Sequence, residues 1–268
     1  MQVFDIHVHI FPDRIADRAV RAIGTFYENF TMECDGTLGT ALRVMDEAGI
    51  TRCAAHSVAT TPHQVQSINA FVMDAARRYP GRLLPFAAMH PGLEHAAQVA
   101  EAVVQEGFRG VKLHPEIQGF NIDAPEVLDM LAPFEGRLPV LVHAGDYRQD
   151  NSSPERLRNV LRAFPRLTLV CAHLGGWTVW RQAARKLAGE NVYVDSSSAL
   201  FALSPKEAVA IMRAYGTDRV LYGTDYPMWS PVGERRRFDA LPLTEAERRA
   251  ILWDNHLRLF PEDTVPLS

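Results

Sequence analysis

Eight polar residues in this 268-residue sequence stand at the ends of short apolar runs, where side chains can converge on one place. His7 and His9 close the first such run. Lys112 and His114 close the fourth, His143 the fifth, His173 the sixth, Asp195 the seventh and Asp225 the eighth. Residues i and i+2 of a strand point to the same side, so His7 and His9 project together, with Asp5 behind them on that face. Paired imidazoles with further His and Asp donors suit a borderline divalent metal such as zinc. An H-x-H pair alone is a weak signal; the weight lies in the set, whose members all end strands. Singly, His143 or His173 reads equally well as a hydrogen-bonded core histidine, but a cluster of unneeded buried polar groups is costly. Asp5 reads as a supporting or structural residue, and Asp195 as either a helix cap or a site residue. Lys112 shares parity with His114, so both can face one pocket; its bland reading is a buried lysine paired to an acid. His56, His63, His90 and His95 carry no comparable pattern, and His256 reads as packing or surface. Cys171 shares parity with His173 and reads as filling the interior. Trp177, Trp180, Trp229 and Trp253 read as core or rim, with Trp229 close enough to Asp225 to line a pocket.

The elements that must hold these residues alternate. The β-rich runs are Val3–Val8, Cys53–Val58, Leu83–Ala87, Gly110–His114, Val140–His143, Leu167–Cys171, Val192–Asp195 and Val220–Gly223. Pro85 weakens the third, since proline cannot donate to a ladder. Helical patterns lie between them at Ala70–Tyr79, Glu94–Glu106, Pro154–Phe164 behind Ser153 as N-cap, Lys206–Tyr215 behind Ser204-Pro205, and Arg248–Trp253 behind a Thr244/Glu247 capping box. Strands alternating with helices imply parallel β-α-β units. Eight of them in about 250 residues is the size of a β/α barrel, whose active sites form at the C-terminal strand ends. A doubly wound open sheet is the alternative, and no G-x-G-x-x-G follows any strand to support a dinucleotide site there. Two segments stand outside the repeat. Phe11–Thr37 holds a helical piece from about Pro12 to Ile23 and then an aromatic irregular stretch with Phe26, Tyr27 and Phe30, the kind of long loop that forms lids. Pro227–Arg237 reads as irregular.

Composition narrows the function. Net charge is −4, with 28 basic and 32 acidic residues, which indicates no broad attraction to nucleic acid or anionic membrane. No apolar stretch approaches the roughly 18 residues of a membrane span, and Met1–Asp5 lacks the pattern of a signal peptide. Cys34, Cys53 and Cys171 have no C-x-x-C spacing, so neither a disulfide framework nor a cysteine zinc site is expected, and a reducing, cytoplasmic setting is the default. Of the 28 basic residues only Lys112, Lys186 and Lys206 are lysine. Arginine cannot replace lysine where a neutral amine is needed, so one of three lysines among the strand-end residues slightly favours a specific role for it.

The order Asp5-Ile6-His7-Val8-His9, Gly110-Val111-Lys112-Leu113-His114-Pro115, Val142-His143-Ala144-Gly145, Ala172-His173-Leu174-Gly175-Gly176 and Tyr222-Gly223-Thr224-Asp225-Tyr226-Pro227 resembles the amidohydrolase superfamily. More narrowly it is similar to the metal-dependent hydrolase branch that includes relatives of aminocarboxymuconate semialdehyde decarboxylase. The ending Ile251–Phe260 is similar to that branch's final helix. The resemblance implies an α/β fold, a distorted TIM (β/α)8 barrel forming one domain over 1–268. It implies one divalent ion, zinc or alternatively manganese, held by His7, His9, His143 and Asp225, with His173 orienting or polarising substrate or water. In some branches a lysine at the fourth strand is carboxylated and bridges two metals; Lys112 and His114 would then belong with a second ion held by His143 and His173. The competing role for Lys112 is to hold a substrate carboxylate. No glutamate stands at the third or fourth strand end, which lowers a nuclease reading, and the long insertions of the larger decarboxylases are missing.

The expected activity is hydrolysis of a small organic acid derivative, a lactone, amide or related C–O or C–N bond. The metal acidifies water, Asp225 acts as general base, His173 stabilises developing oxyanion charge, and Lys112, His114 and an arginine such as Arg148 hold a substrate carboxylate. The alternative is a carboxy-lyase, a metal-dependent non-oxidative decarboxylation of an unsaturated or aromatic acid. A non-catalytic scaffold is disfavoured by the complete ligand set. The partner is a small-molecule substrate, with no nucleic acid or membrane; a homo-oligomer is compatible with the sequence. Specificity is expected in Phe11–Thr37, Glu116–Ala124, Asp146–Ser153 and Pro227–Arg237.

Overall fold

Each of the eight apolar runs forms a parallel strand in a computed structural model that describes residues 2–264. Met1 and residues 265–268, which the 1–268 domain expectation takes in, lie outside the described residues. The strands are β1 (Phe4–His9), β2 (Arg52–His56), β3 (Leu83–Ala88), β4 (Gly110–Leu113), β5 (Val140–Val142), β6 (Leu169–Cys171), β7 (Val192–Asp195) and β8 (Val220–Leu221). Each pairs with the next in sequence order, which excludes the doubly wound sheet, whose strand order reverses at a switch point. The ends of that sheet meet: Ile6 N donates to Tyr222 O at 3.0 Å, Asp225 N to His7 O at 2.9 Å and His9 N to Tyr226 O at 2.8 Å. The protein is a single-domain TIM barrel. Pro85 sits within β3 opposite Ala55, and its carbonyl still accepts from Arg109 N at 2.8 Å, so the strand loses only one donor.

The core has two layers. Phe4, Ile6, Leu84, Phe86, Leu141 and Val170 fill the barrel interior, where Phe260 packs against Phe4 and Phe86. Alternate residues such as Val111, Val140, Val142 and Leu169 face the surrounding helices through Leu157, Leu187 and Met212. Cys171 belongs to this outer layer, contrary to the interior position its parity with His173 suggested. The two part company because the backbone turns to positive φ at His173 (59°) and Leu174 (51°), which ends strand alternation. All three cysteines are free, and no helix among the described residues is long and apolar enough to cross a membrane.

The helices hold the barrel and shape its mouth. α1 (Asp13–Phe26) runs three residues past the expected end and leads into Tyr27. α2 (Leu38–Glu47), which the sequence reading passed over, is capped by Thr37. α3 (Val65–Arg78) starts five residues before its expected position. The Thr244/Glu247 capping box and the Ser204 cap form as expected. Ser153 precedes Pro154–Ala163 but makes no side-chain cap, so the proline alone marks that start. The Pro227–Arg237 segment is not irregular throughout, because Pro231–Asp239 is helical.

Candidate metal centre and its cavity

β1 delivers two imidazoles through a bulge. Its pairing with β2 shifts register between Asp5 and Val8. Before the shift Phe4 and Ile6 face the interior; after it Val8 faces the outer layer, and His7 and His9 line a cavity at the barrel mouth. One extra residue reverses the parity of all that follow. Asp5 therefore does not sit behind the two rings. Its Oδ1 accepts from His7 N at 2.9 Å and Thr224 N at 3.1 Å, and its Oδ2 accepts from Thr224 Oγ1 at 2.6 Å. It ties β1 to the segment after β8, and burial pushes its pKa up to about 7 against those bonds.

The ligand-type atoms meet at short range. His7 Nε2 lies 3.2 Å from His9 Nε2 and 3.4 Å from Asp225 Oδ1, and His9 Nε2 lies 3.5 Å from the same oxygen. Ligands about 2.0–2.1 Å from a tetrahedral ion stand about 3.3 Å apart, so this triangle has the dimensions of one face of a coordination shell. His173 offers a ligand atom to the same group, within 4.8 Å of those of His7 and Asp225. His143 reaches it through His173, its Nδ1 lying 3.0 Å from His173 Nε2; its own ring stacks on His114 at 3.9 Å. A further candidate grouping joins His143, His114 and Glu116.

The proton positions follow from the partners. Asp195 Oδ2 lies 2.9 Å from His7 Nδ1 and accepts its proton, which leaves the Nε2 lone pair facing His9 and Asp225. His173 Nδ1 faces the Ser197 carbonyl at 3.2 Å and its hydroxyl at 2.9 Å. A carbonyl only accepts, so that nitrogen carries the hydrogen, and Nε2, 3.0 Å from His143 Nδ1, keeps the lone pair. This carboxylate–imidazole support is the usual surrounding of metal-bound histidine. Burial, with Lys112 adding to it, lowers the pKa of His7, His9, His56, His114, His143 and His173, which keeps them in the neutral, ligating form. Burial alone would raise Asp225, but the imidazoles of His7, His9 and His173 hold it well below the usual carboxylate range. Its backbone is left-handed, φ 60°, and its Oδ2 accepts from Ser198 Oγ at 2.6 Å, which in turn accepts from Trp229 Nε1 at 2.8 Å. Trp229 thus acts on Asp225 through Ser198. The donor set of neutral imidazoles and one carboxylate fits a divalent metal.

Lys112 is 1% exposed, and its Nζ lies 2.9 Å from His7 Nε2. Burial pushes its pKa down to about 8 despite the nearby carboxylates of Asp225, Asp195 and Glu116. Lys112 and His114 both line the cavity, as their shared parity required. His56, expected to carry no comparable pattern, and the serines after Asp195 also belong to the centre. His56 ends β2 just as the other histidines end their strands; it is fully buried, groups with His7 and His9, and neither ring nitrogen has a protein partner among the described residues. Ser197 and Ser198 follow Asp195 in a hydroxyl run that brackets the centre. Tyr27, in the aromatic stretch, reaches His114 Nε2 at 2.9 Å.

The cavity above these groups has a volume of about 760 Å3. Its walls come from α1, from residues 57–71 and from Pro227 and Met228. The Asp146–Ser153 loop supplies no lining residue, against expectation. Arg148 explains this: it is spent on Asp146 at 2.7 and 2.9 Å and on Phe26 O at 2.9 Å, and it lies over the rings of Phe26, Tyr27 and Trp177. It latches the end of α1 and is not available to a substrate carboxylate. His256 is buried and stacks on Phe4 at 4.4 Å, a packing residue.

A family model described as Amidohydrolase matches residues 4–261. No curated protein sequence matches the chain. Solved structures share its fold throughout. An uncharacterised TIM-barrel protein from Bordetella bronchiseptica is 21% identical with a TM-score of 0.78, covering 99% of this chain and 100% of that one. A dihydroxybenzoic acid decarboxylase from Polaromonas, with bound manganese and the inhibitor 2-nitroresorcinol, is 16% identical with a TM-score of 0.73, covering 97% of each chain. A candidate 2-pyrone-4,6-dicarboxylic acid hydrolase from Pseudomonas putida is 20% identical with a TM-score of 0.67, covering 98% of each.

Proposed function

The chain belongs to the amidohydrolase family, and from that premise we propose that it is a metal-dependent hydrolase of a small organic acid derivative, cleaving a lactone, amide or related C–O or C–N bond. The observation that carries this reading is the triangle of His7 Nε2, His9 Nε2 and Asp225 Oδ1 on the floor of a large cavity, with edges of 3.2 to 3.5 Å. His7, His9 and Asp225 would hold the ion, completed by His143 or His173. Zinc suits the imidazole and carboxylate donors, and the manganese in the Polaromonas decarboxylase makes that ion the alternative. Such an ion supplies Lewis-acid polarisation of a carbonyl and acidifies water to about pKa 7.

The chain's own groups do the rest. Asp225, kept ionised by its imidazole neighbours, takes the proton of the attacking water and returns it to the leaving group. His173, its Nδ1–H fixed by the Ser197 carbonyl, presents the Nε2 lone pair and orients the attacking water. Lys112, with a pKa of about 8, is mostly protonated at neutral pH and pairs with a substrate carboxylate; His114, held by Tyr27, orients it. The setting is expected to be cytoplasmic.

The test is an assay of purified, metal-loaded protein against lactone, amide and aromatic-acid panels, scoring both acid release and carbon dioxide. Asp225→Asn should lower turnover by at least about 100-fold, the scale of a general base. Unchanged turnover overturns the assignment of Asp225, and carbon dioxide without net water consumption replaces hydrolysis by decarboxylation.

A further inference from the structure

The cavity extends well beyond the metal centre. At about 760 Å3 it lies in the upper part of the roughly 300–1,000 Å3 range of pockets that hold drug-sized ligands; a single-ring acid would fill only its floor. Its outer part lies between α1 and residues 57–71. Ile15, Ala19 and Ile23 of α1 and Val58, Ile68 and Phe71 opposite line it with apolar surface. Arg14 and Arg18 line it from the same face of α1. They sit one turn apart, about 6 Å along the axis. Neither has an ion-pair or hydrogen-bond partner among the described residues, whereas Arg21, which does not line the cavity, pairs with Asp17 at 2.5 Å. Asp225, on the floor, is the only acid lining the cavity among the described residues. Across the mouth stand His63, Gln64 and Ser67, which are polar and carry no negative charge.

Two unpaired guanidinium groups at the open end of an apolar channel, with no acid beside them in its lining, are placed to receive an anion. We propose that the substrate is an elongated acid with an apolar middle and a second anionic group, carboxylate or phosphate, which Arg14 and Arg18 bind at the cavity mouth. This rests on the preceding reading only for where the reacting end lies, at the metal centre. The apolar walls recognise the middle, and the arginine pair selects the far end. The cation at the floor, Lys112, is too deep to do both jobs for a substrate that fills the channel.

The test is calorimetric binding of α,ω-dicarboxylates of six to twelve carbons, their monocarboxylate counterparts of equal length, and ω-phosphonocarboxylates, to metal-loaded protein. Two charge-assisted contacts at an exposed site are worth roughly tenfold in affinity. The wild type should therefore prefer a doubly charged ligand by about tenfold over its monocarboxylate, and the preference should fade with salt. Arg14→Ala/Arg18→Ala should abolish it while metal content, melting temperature and monocarboxylate affinity stay unchanged. Arg21→Ala should leave it intact. The phosphonate arm tells whether carboxylate or phosphate is the better fit. A wild type without the preference, or a double variant that keeps it, overturns the proposal. Repeating the series after chelation separates the two readings: if removing metal leaves all affinities unchanged, the metal-end reading fails while the arginine result stands.

Discussion

In Asp195→Asn a single amide oxygen must serve the three donors now at Oδ1: His173 N at 3.0 Å, Ser197 N at 3.0 Å and Ser197 Oγ at 2.6 Å. The amide nitrogen then occupies the place of Oδ2, 2.9 Å from His7 Nδ1. Two N–H groups cannot face each other across that gap, so Nδ1 becomes the acceptor and the ring proton moves to Nε2. That is the atom facing His9 and Asp225, and it loses the lone pair that would bind metal. Losing an outer-shell partner costs roughly 10–100-fold in metal affinity. With the tautomer reversed as well, the expected loss is about 100-fold, or about 2.7 kcal/mol. The fold should survive, since the side chain is isosteric and three of its four hydrogen bonds remain. The assay is zinc and manganese titration against a chromophoric chelator, on protein shown by its melt to be folded, with nitrogen NMR of the His7 ring to read the tautomer. Affinity within threefold of wild type, or an Nδ1-protonated ring in the variant, would refute the reasoning.

Gly223→Ala places a methyl 3.2 Å from His7 Cβ and 3.3 Å from Asp195 Cγ. Such overpacking costs about 1–3 kcal/mol, read as a lower melting temperature together with weaker metal binding. Glu234 is buried, and burial raises its pKa to about 7 against the pull of Arg237. Its folded pKa exceeds the unfolded 4.5, so its contribution is fully present below pH 4.5 and is lost as pH rises through about 7. Denaturant titrations should show Glu234→Gln gaining on wild type across that window by up to about 3 kcal/mol; a gap that stays constant with pH contradicts this. Metal removal should lower the melt in proportion to occupancy, by about 2.7 kcal/mol when free ion stands at 100 times its dissociation constant. A melt indifferent to zinc, manganese and chelator would argue against a resident ion.

The strand count and the strand-end chemistry are legible in the sequence because both are local. Apolar runs and their spacing depend on the nearest few residues, and a His or Asp carries its donor atoms wherever it lies. That was enough to single out His7, His9, His143, His173, Lys112 and Asp225 as one set. Their mutual geometry is not local. The bulge in β1 turns His7 and His9 inward and sends Asp5 to Thr224. Positive φ at His173 and Asp225 aims side chains that parity would misplace. Arg148 looked free for a substrate until Asp146 and the end of α1, 122 residues away, claimed it. Arg14 and Arg18 acquire meaning only because the same helix face lines the cavity. Residue type sets what a group can bind; the partners that orient it, fix its proton and exclude water come from distant segments, and only the closed barrel brings them together.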